Sequence, residues 1–157
     1  MPSFGRKSNQ KLDTTHPVIQ ALCRRVVAHF DITILCGHRP EAEQNAAFAS
    51  GASTKRFGES RHNLTPSMAV DPAPWPIPEG WGDLKGKTPA ARDLDWKERI
   101  KFYQMIEVFK FAWSQMCLET PELAERYRLR FGADWDGDND FRDQTFDDLP
   151  HIELWEI

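Results

Sequence analysis

Residues 60–74 read SRHNLTPSMAVDPAP, and the organisation of the chain follows from this stretch. Its second half, Met68 to Ala73, reads as a short strand that carries Asp71. Its first half is polar and continues residues 51–62, which contain Gly, Ser and Lys and read as a mobile loop. A histidine, His62, therefore stands where a loop gives way to a strand bearing a carboxylate.

Upstream, Ile32-Thr33-Ile34-Leu35-Cys36 is a β-branched run read as a strand, and Gly37 ends it. Asp13-Thr14-Thr15 is a cap signal with Pro17 in the first turn, and Ile19, Leu22, Cys23, Val26, Val27 and Phe30 follow at helical spacing. The reading is an amphipathic helix over residues 13–30. A second helix is expected from Pro40 to about Ser50, stopped by Gly51.

Downstream, residues 72–91 hold most of the prolines and read as an irregular excursion. A long helix is expected from Asp95 to Leu118. Its apolar residues (Ile100, Phe102, Tyr103, Ile106, Phe109, Trp113, Met116) cover much of its circumference, which places it near the centre of the fold. A short helix at 121–127, a strand at 128–132 and a closing strand at 151–157 complete the chain. The pattern predicts an α+β fold in which helices flank a small, largely antiparallel sheet.

The 157 residues, 40% apolar and 28% charged, suit one globular domain spanning residues 1–157 and exclude disorder and fibrous repeats. The net charge of −4 comes without a basic stripe, which argues against a nucleic-acid partner. No apolar run approaches the ~18 residues of a membrane span. The opening MPSFGRKSNQKLDTTHP lacks the apolar core of a secretory signal, so synthesis in the cytoplasm as a soluble protein is expected. Cys23, Cys36 and Cys117 are widely separated, form no CxxC pair and read as buried free thiols rather than a zinc site.

His62, Asp71 and His151 form a candidate metal set. Catalytic zinc takes three protein ligands and keeps the fourth position for water, and two imidazoles with one carboxylate meet that count. The His62–Asp71 spacing suits a loop or hairpin pair closing on one ion, with His151 arriving from across the sheet. Each histidine taken alone equally suits ordinary packing or a surface position, and spacing does not choose between these readings.

S-x-H followed by A-V-D, and then D-x-P-H-x-E, resembles the peptidase family that contains D-Ala-D-Ala carboxypeptidases and phage L-alanyl-D-glutamate endopeptidases (VanY-like, hedgehog/DD-peptidase fold). SFGRKSNQKLDTTHPVIQAL, DITILCGHRPEAEQNAAFASG, RLRFGADWDGDND and FDDLPHIEL occur in the family's order and look like phage endolysin members. The resemblance implies that His62, Asp71 and His151 bind zinc. It implies that Asp148, three positions before the terminal histidine, is the general base, and that Arg39 in GHRP is the active-site arginine gripping a substrate carboxylate or the oxyanion. The implied activity is zinc-dependent hydrolysis of peptidoglycan stem peptides at the L-Ala–D-Glu bond. A D-Ala-D-Ala carboxypeptidase or dipeptidase, and a non-catalytic zinc-containing binding domain, are the alternatives. A monomer acting on the cell wall after export or holin-type release is expected.

The family commonly places six residues between the histidine and the aspartate. Here eight intervene, with Thr65-Pro66-Ser67 in place of a glycine, so the connection must bulge. A carboxylate base needs a partly desolvated site to raise its pKa toward neutrality. Ser60 is expected to hydrogen-bond substrate, to orient His62, or simply to shape the loop. Glu153 shares a strand face with His151 and reads either as a partner for that imidazole or as an exposed residue. Asp134, Asp136, Asp138 and Asp140 alternate along an acidic loop. The resemblance implies a calcium-regulated segment there, with solvated acidic residues as the competing account.

Overall fold

The computed structural model describes residues 1–79, 89–141 and 148–157, with side chains of the long helix described from Trp96 onward. A four-stranded sheet has the order β1-β2-β4-β3, with β1 Ile32–Cys36, β2 Ala69–Pro74, β3 Tyr127–Phe131 and β4 Ile152–Glu156. Every neighbouring pair is antiparallel. Helices α1 Arg6–Leu12, α2 Pro17–Val27, α3 Glu41–Ala49, α4 Pro89–Glu119 and α5 Glu122–Arg126 surround it, so the α+β expectation holds. No described helix is long and apolar enough to cross a membrane.

The helix expected over residues 13–30 is observed as α2, starting at Pro17 and ending at Val27, and α1 is a further helix ahead of it that the sequence reading did not anticipate. Asp13-Thr14-Thr15 forms the turn between them, with Thr15 Oγ1 donating to the Leu12 carbonyl at 2.7 Å. The cap of α2 is His16, whose Nδ1 accepts from the Val18 amide at 3.3 Å. Short polar side chains stop a helix as readily as they start one, because they offer the backbone local alternatives. Residues 72–74 extend β2 rather than begin the irregular excursion, and residues 80–88 of that excursion lie outside the described residues.

The core forms where α2 and α4 pack together over the sheet. Leu22, Val26, Phe102, Ile106 and Phe109 from the helices meet Ile34, Val70, Ile152 and Leu154 from the strands, all buried. The expectation that α4 runs near the centre holds for its apolar stripe, although Ile100 and Phe111 face outward. In β4, Ile152 and Leu154 enter this core while Glu153 and Trp155 take the opposite face, as the two-residue strand period requires. β2, central and fully buried, carries Asp71 across from Cys36 of β1, where a bulge interrupts the register.

Candidate metal and catalytic site

A single 3₁₀ turn, Arg61–Asn63, presents His62. Ser60 caps this turn: its hydroxyl accepts from the His62 amide at 3.3 Å, while the Asn63 side chain accepts from the Ser60 amide at 3.3 Å. The observed bond reaches the His62 backbone amide, so Ser60 shapes the turn that presents His62, and it also borders the cleft. The two extra residues between His62 and Asp71 are taken up by residues 64–68, held at Ser67, whose amide donates to the Thr14 carbonyl and whose hydroxyl donates to the Ala69 carbonyl.

Three donor atoms then converge. His62 Nε2 lies 2.9 Å from Asp71 Oδ1, His151 Nδ1 lies 3.2 Å from the same oxygen, and the two imidazole nitrogens are 3.2 Å apart. Ligand atoms at about 2.0–2.1 Å from a tetrahedral ion sit roughly 3.3 Å from one another, so this triangle matches one face of a zinc coordination sphere. The far nitrogens are committed elsewhere. His62 Nδ1 donates to the Gly37 carbonyl at 2.7 Å, and His151 Nε2 donates to Glu153 Oε2 at 3.1 Å. Each ring is therefore held by an outer partner that leaves the inner nitrogen directed at the shared point.

Burial on its own would hold both imidazoles uncharged. The charge and hydrogen bond of Asp71 outweigh it, pushing His62 up to about 10. His151 rises to about 9, against burial, through its bonds to Asp71 and Glu153. Asp71 is buried at the cleft wall, which opposes its charge, yet the two imidazoles hold its carboxyl well below the usual range. In the metal-free protein the triangle is thus a proton-bound ion cluster.

Asp148 borders the same cleft, and burial followed by the charge of Asp71 raises its pKa, as a base working near neutrality requires. Its position is set by backbone: the Asp148 amide donates to the Gly132 carbonyl at 2.9 Å, and the His151 amide donates to the Asp148 carbonyl at 2.9 Å. Gly132 is needed because a Cβ there would collide with the Asp148 carbonyl. Arg39 reaches the site from the loop after β1, donating to Asp71 Oδ2 at 3.3 Å and to Gln44 Oε1 at 3.3 Å. The cleft that Arg39, Ser60, His62, Asp71, Asp148 and His151 line encloses about 740 Å³. Glu153 is buried beneath it and also accepts from Trp155 Nε1 at 2.8 Å. Of its two expected roles, partner to the imidazole is the one observed.

Cys36 departs from the sequence reading. It is half-buried, and its thiol gathers with ligand atoms of His62 and Asp71 within 4.8 Å. The clue lay in the strand pairing, since Cys36 sits opposite Asp71, but that pairing is a tertiary fact with no local signature. Cys23 is buried as expected, and Cys117 is only half-buried.

In the acidic loop, Asp134, Asp136 and Asp138 bring carboxylate oxygens within 4.8 Å of one another. Asp140 does not join that group: the chain turns through Asn139 at φ 69°, and the Asp140 amide donates to Asp138 Oδ1 at 2.7 Å. Asp134 is buried, with Lys110 Nζ 3.8 Å from its Oδ2. Trp135, between two of these aspartates, tilts against the His151 ring at 5.5 Å, so the loop and the triangle share a wall.

A family model described as phage L-alanyl-D-glutamate peptidase matches residues 2–155. The chain belongs to that family. It is similar to the L-alanyl-D-glutamate peptidase of Escherichia phage T5, with 28% identity covering 96% of each chain. The crystal structure of the Serratia marcescens L-Ala D-Glu endopeptidase ChiX has the same fold, with a TM-score of 0.57 at 18% identity over 98% of this chain and 91% of that one. The family resemblance read from the four sequence motifs is thereby borne out.

Proposed function

We propose that residues 1–157 form one zinc peptidase domain that hydrolyses the L-Ala–D-Glu bond of peptidoglycan stem peptides. The observation that carries this reading is the convergence of His62 Nε2, Asp71 Oδ1 and His151 Nδ1 at 2.9–3.2 Å beside the raised carboxyl of Asp148. Two neutral nitrogens and one carboxylate are a donor set that zinc accepts. When bound, zinc supplies a Lewis acid that polarises the scissile carbonyl and acidifies water. His62, Asp71 and His151 hold it. Asp148 takes a proton from the attacking water and returns it to the leaving amine, and its raised pKa suits both transfers. Arg39 steadies the Asp71 carboxylate and lies where it can donate to the developing oxyanion.

The acidic loop fits a regulatory calcium role on this reading, since a cation drawing Asp134, Asp136 and Asp138 together would fix Trp135 against His151. A thermal shift with calcium that Asp136→Asn abolishes supports it, and an unchanged melting curve opposes it.

The test of the main reading is Asp148→Asn, assayed on purified peptidoglycan with bound zinc measured in parallel. Zinc retention with a loss of ~10²-fold or more in rate is expected for removal of a general base. Lysis at the wild-type rate by this variant refutes the base assignment. New D-Glu amino termini in the wild-type digest identify the bond, whereas released D-Ala alone indicates the carboxypeptidase alternative. Tight zinc binding without any cleavage indicates a binding domain.

A further inference from the structure

Four cationic side chains border the cleft: Arg39, Lys55, Arg61 and Arg130. Arg39 is paired with Asp71 and Arg130 with Glu153. Lys55 lies on an exposed loop. Arg61 differs from all of them. Its guanidinium carbon lies over the Trp155 indole, 3.6 Å from the ring centroid, and no carboxylate or carbonyl among the described residues bonds it.

A guanidinium stacked by its face keeps its N–H edge free, and that edge matches the two oxygens of a carboxylate. Stacking also removes rotamer freedom before anything binds, which lowers the entropic cost of recognition. The platform is itself fixed. Glu153 accepts from Trp155 Nε1 at 2.8 Å with one oxygen and from His151 Nε2 at 3.1 Å with the other. One carboxylate therefore ties the stacked arginine to the imidazole of the metal triangle. None of the acids bordering the cleft is paired with Arg61 among the described residues: Asp71 and Glu153 are engaged as described, Glu59 accepts from the Arg56 amide at 2.7 Å, and Asp148 makes no bond to it. Among the described residues, Arg61 is the ring-stacked positive group in this wall with no carboxylate counterpart, and it immediately precedes His62 in the same short turn.

We propose that Arg61, seated on Trp155, is the specificity-determining residue that reads a free carboxylate of the substrate on the leaving-amine side of the scissile bond. The inference rests on the peptidase reading above. A D-glutamate joined to its successor through the γ-carboxyl carries a free α-carboxylate on the carbon that bears the scissile nitrogen. The diamino acid that follows carries a second carboxylate in some walls. Either supplies the anion, and amidation removes it while preserving shape.

The experiment uses the zinc-loaded full chain and four synthetic stem peptides. These contain D-glutamate or D-isoglutamine, each followed by diaminopimelate or its amidated form. Wild-type protein is expected to favour a free acid by about tenfold or more in kcat/KM, chiefly through KM. Loss on amidating D-glutamate assigns the α-carboxylate, and loss on amidating diaminopimelate assigns the farther one. Arg61→Gln should reduce the preference to within about twofold, and Arg61→Glu should reverse it. Cleavage of the amidated peptides by these variants shows that they are folded. Equal cleavage of all four peptides by wild type, or an undiminished preference in Arg61→Gln, overturns the proposal while leaving the peptidase reading in place. Cleavage of none overturns both.

Discussion

Replacing Glu153 with glutamine changes one oxygen to an NH₂ and should weaken zinc binding without touching a proposed ligand. The Glu153 carboxylate accepts from His151 Nε2 at 3.1 Å and from Trp155 Nε1 at 2.8 Å, with Arg130 at 3.5 Å. Glutamine has one acceptor for these donors. If that oxygen stays on Trp155, the amide NH₂ faces the His151 N–H, and the imidazole relieves the clash by moving its proton to Nδ1. Nδ1 is the atom in the metal triangle. If the amide turns the other way, Trp155 loses its partner and the imidazole keeps a weaker, uncharged one. Loss of an outer partner of a metal-binding histidine costs about 10–100-fold in affinity, or about 1.4–2.7 kcal/mol. Competition against a chromophoric chelator would measure it, with circular dichroism confirming that the variant is folded. Zinc affinity within about twofold of wild type in a folded Glu153→Gln protein would refute the claim that this carboxylate orients the ring.

Other outcomes are expected from the same geometry. Zinc affinity should rise with pH up to about 9–10, because His62 at about 10 and His151 at about 9 both hold protons at neutrality that the metal must displace. Two released protons give a slope approaching ~100-fold per pH unit, and an affinity independent of pH would contradict the ion-cluster description. The sign for stability is opposite in the metal-free protein. Both folded pKa values lie above the ordinary imidazole value of ~6.5, so the stabilisation is complete below that pH and disappears as pH rises toward 9–10. A melting temperature that climbs over that range in chelator would be inconsistent with it. Gly132→Ala should lower both stability, by about 1–3 kcal/mol, and activity, because its Cβ comes within 2.9 Å of the Cβ atoms of Asp148 and His151; unchanged kinetics would mean the turn yields freely. Phe109→Ala, at a fully buried position in α4, should cost about 3–5 kcal/mol in denaturant titration while the protein that remains folded keeps its zinc affinity.

Much of this arrangement was legible in the sequence because it is written in local patterns. The β-branched run at 32–36, the apolar stripe of α4 and the alternating residues of 151–155 each specify their own geometry. The His62, Asp71 and His151 set emerged from motifs in order along the chain, and spacing alone left it undecided. What the sequence hid depends on neighbours far apart in the chain. Cys36 meets Asp71 only through the β1–β2 register, and Arg61 meets Trp155 only because β4 lies beside β2. Helix α1 was missed for a different reason: it is short and polar, and the residues at 13–15 that end it were read only as the beginning of α2. The acidic loop was half readable, since the alternation of aspartates was plain but the turn at Asn139 that diverts Asp140 was not.

The closing strand alternates strictly, with Ile152 and Leu154 inward and His151, Glu153 and Trp155 toward the cleft. A shift of one residue in its pairing would therefore exchange the two sets at a stroke, driving a carboxylate into the apolar core and turning a leucine toward the cleft. Insertions or deletions between Asp148 and Trp155 have no graded effect to offer selection. Length variation during divergence should instead accumulate in stretches such as residues 51–59, where no strand counts the residues.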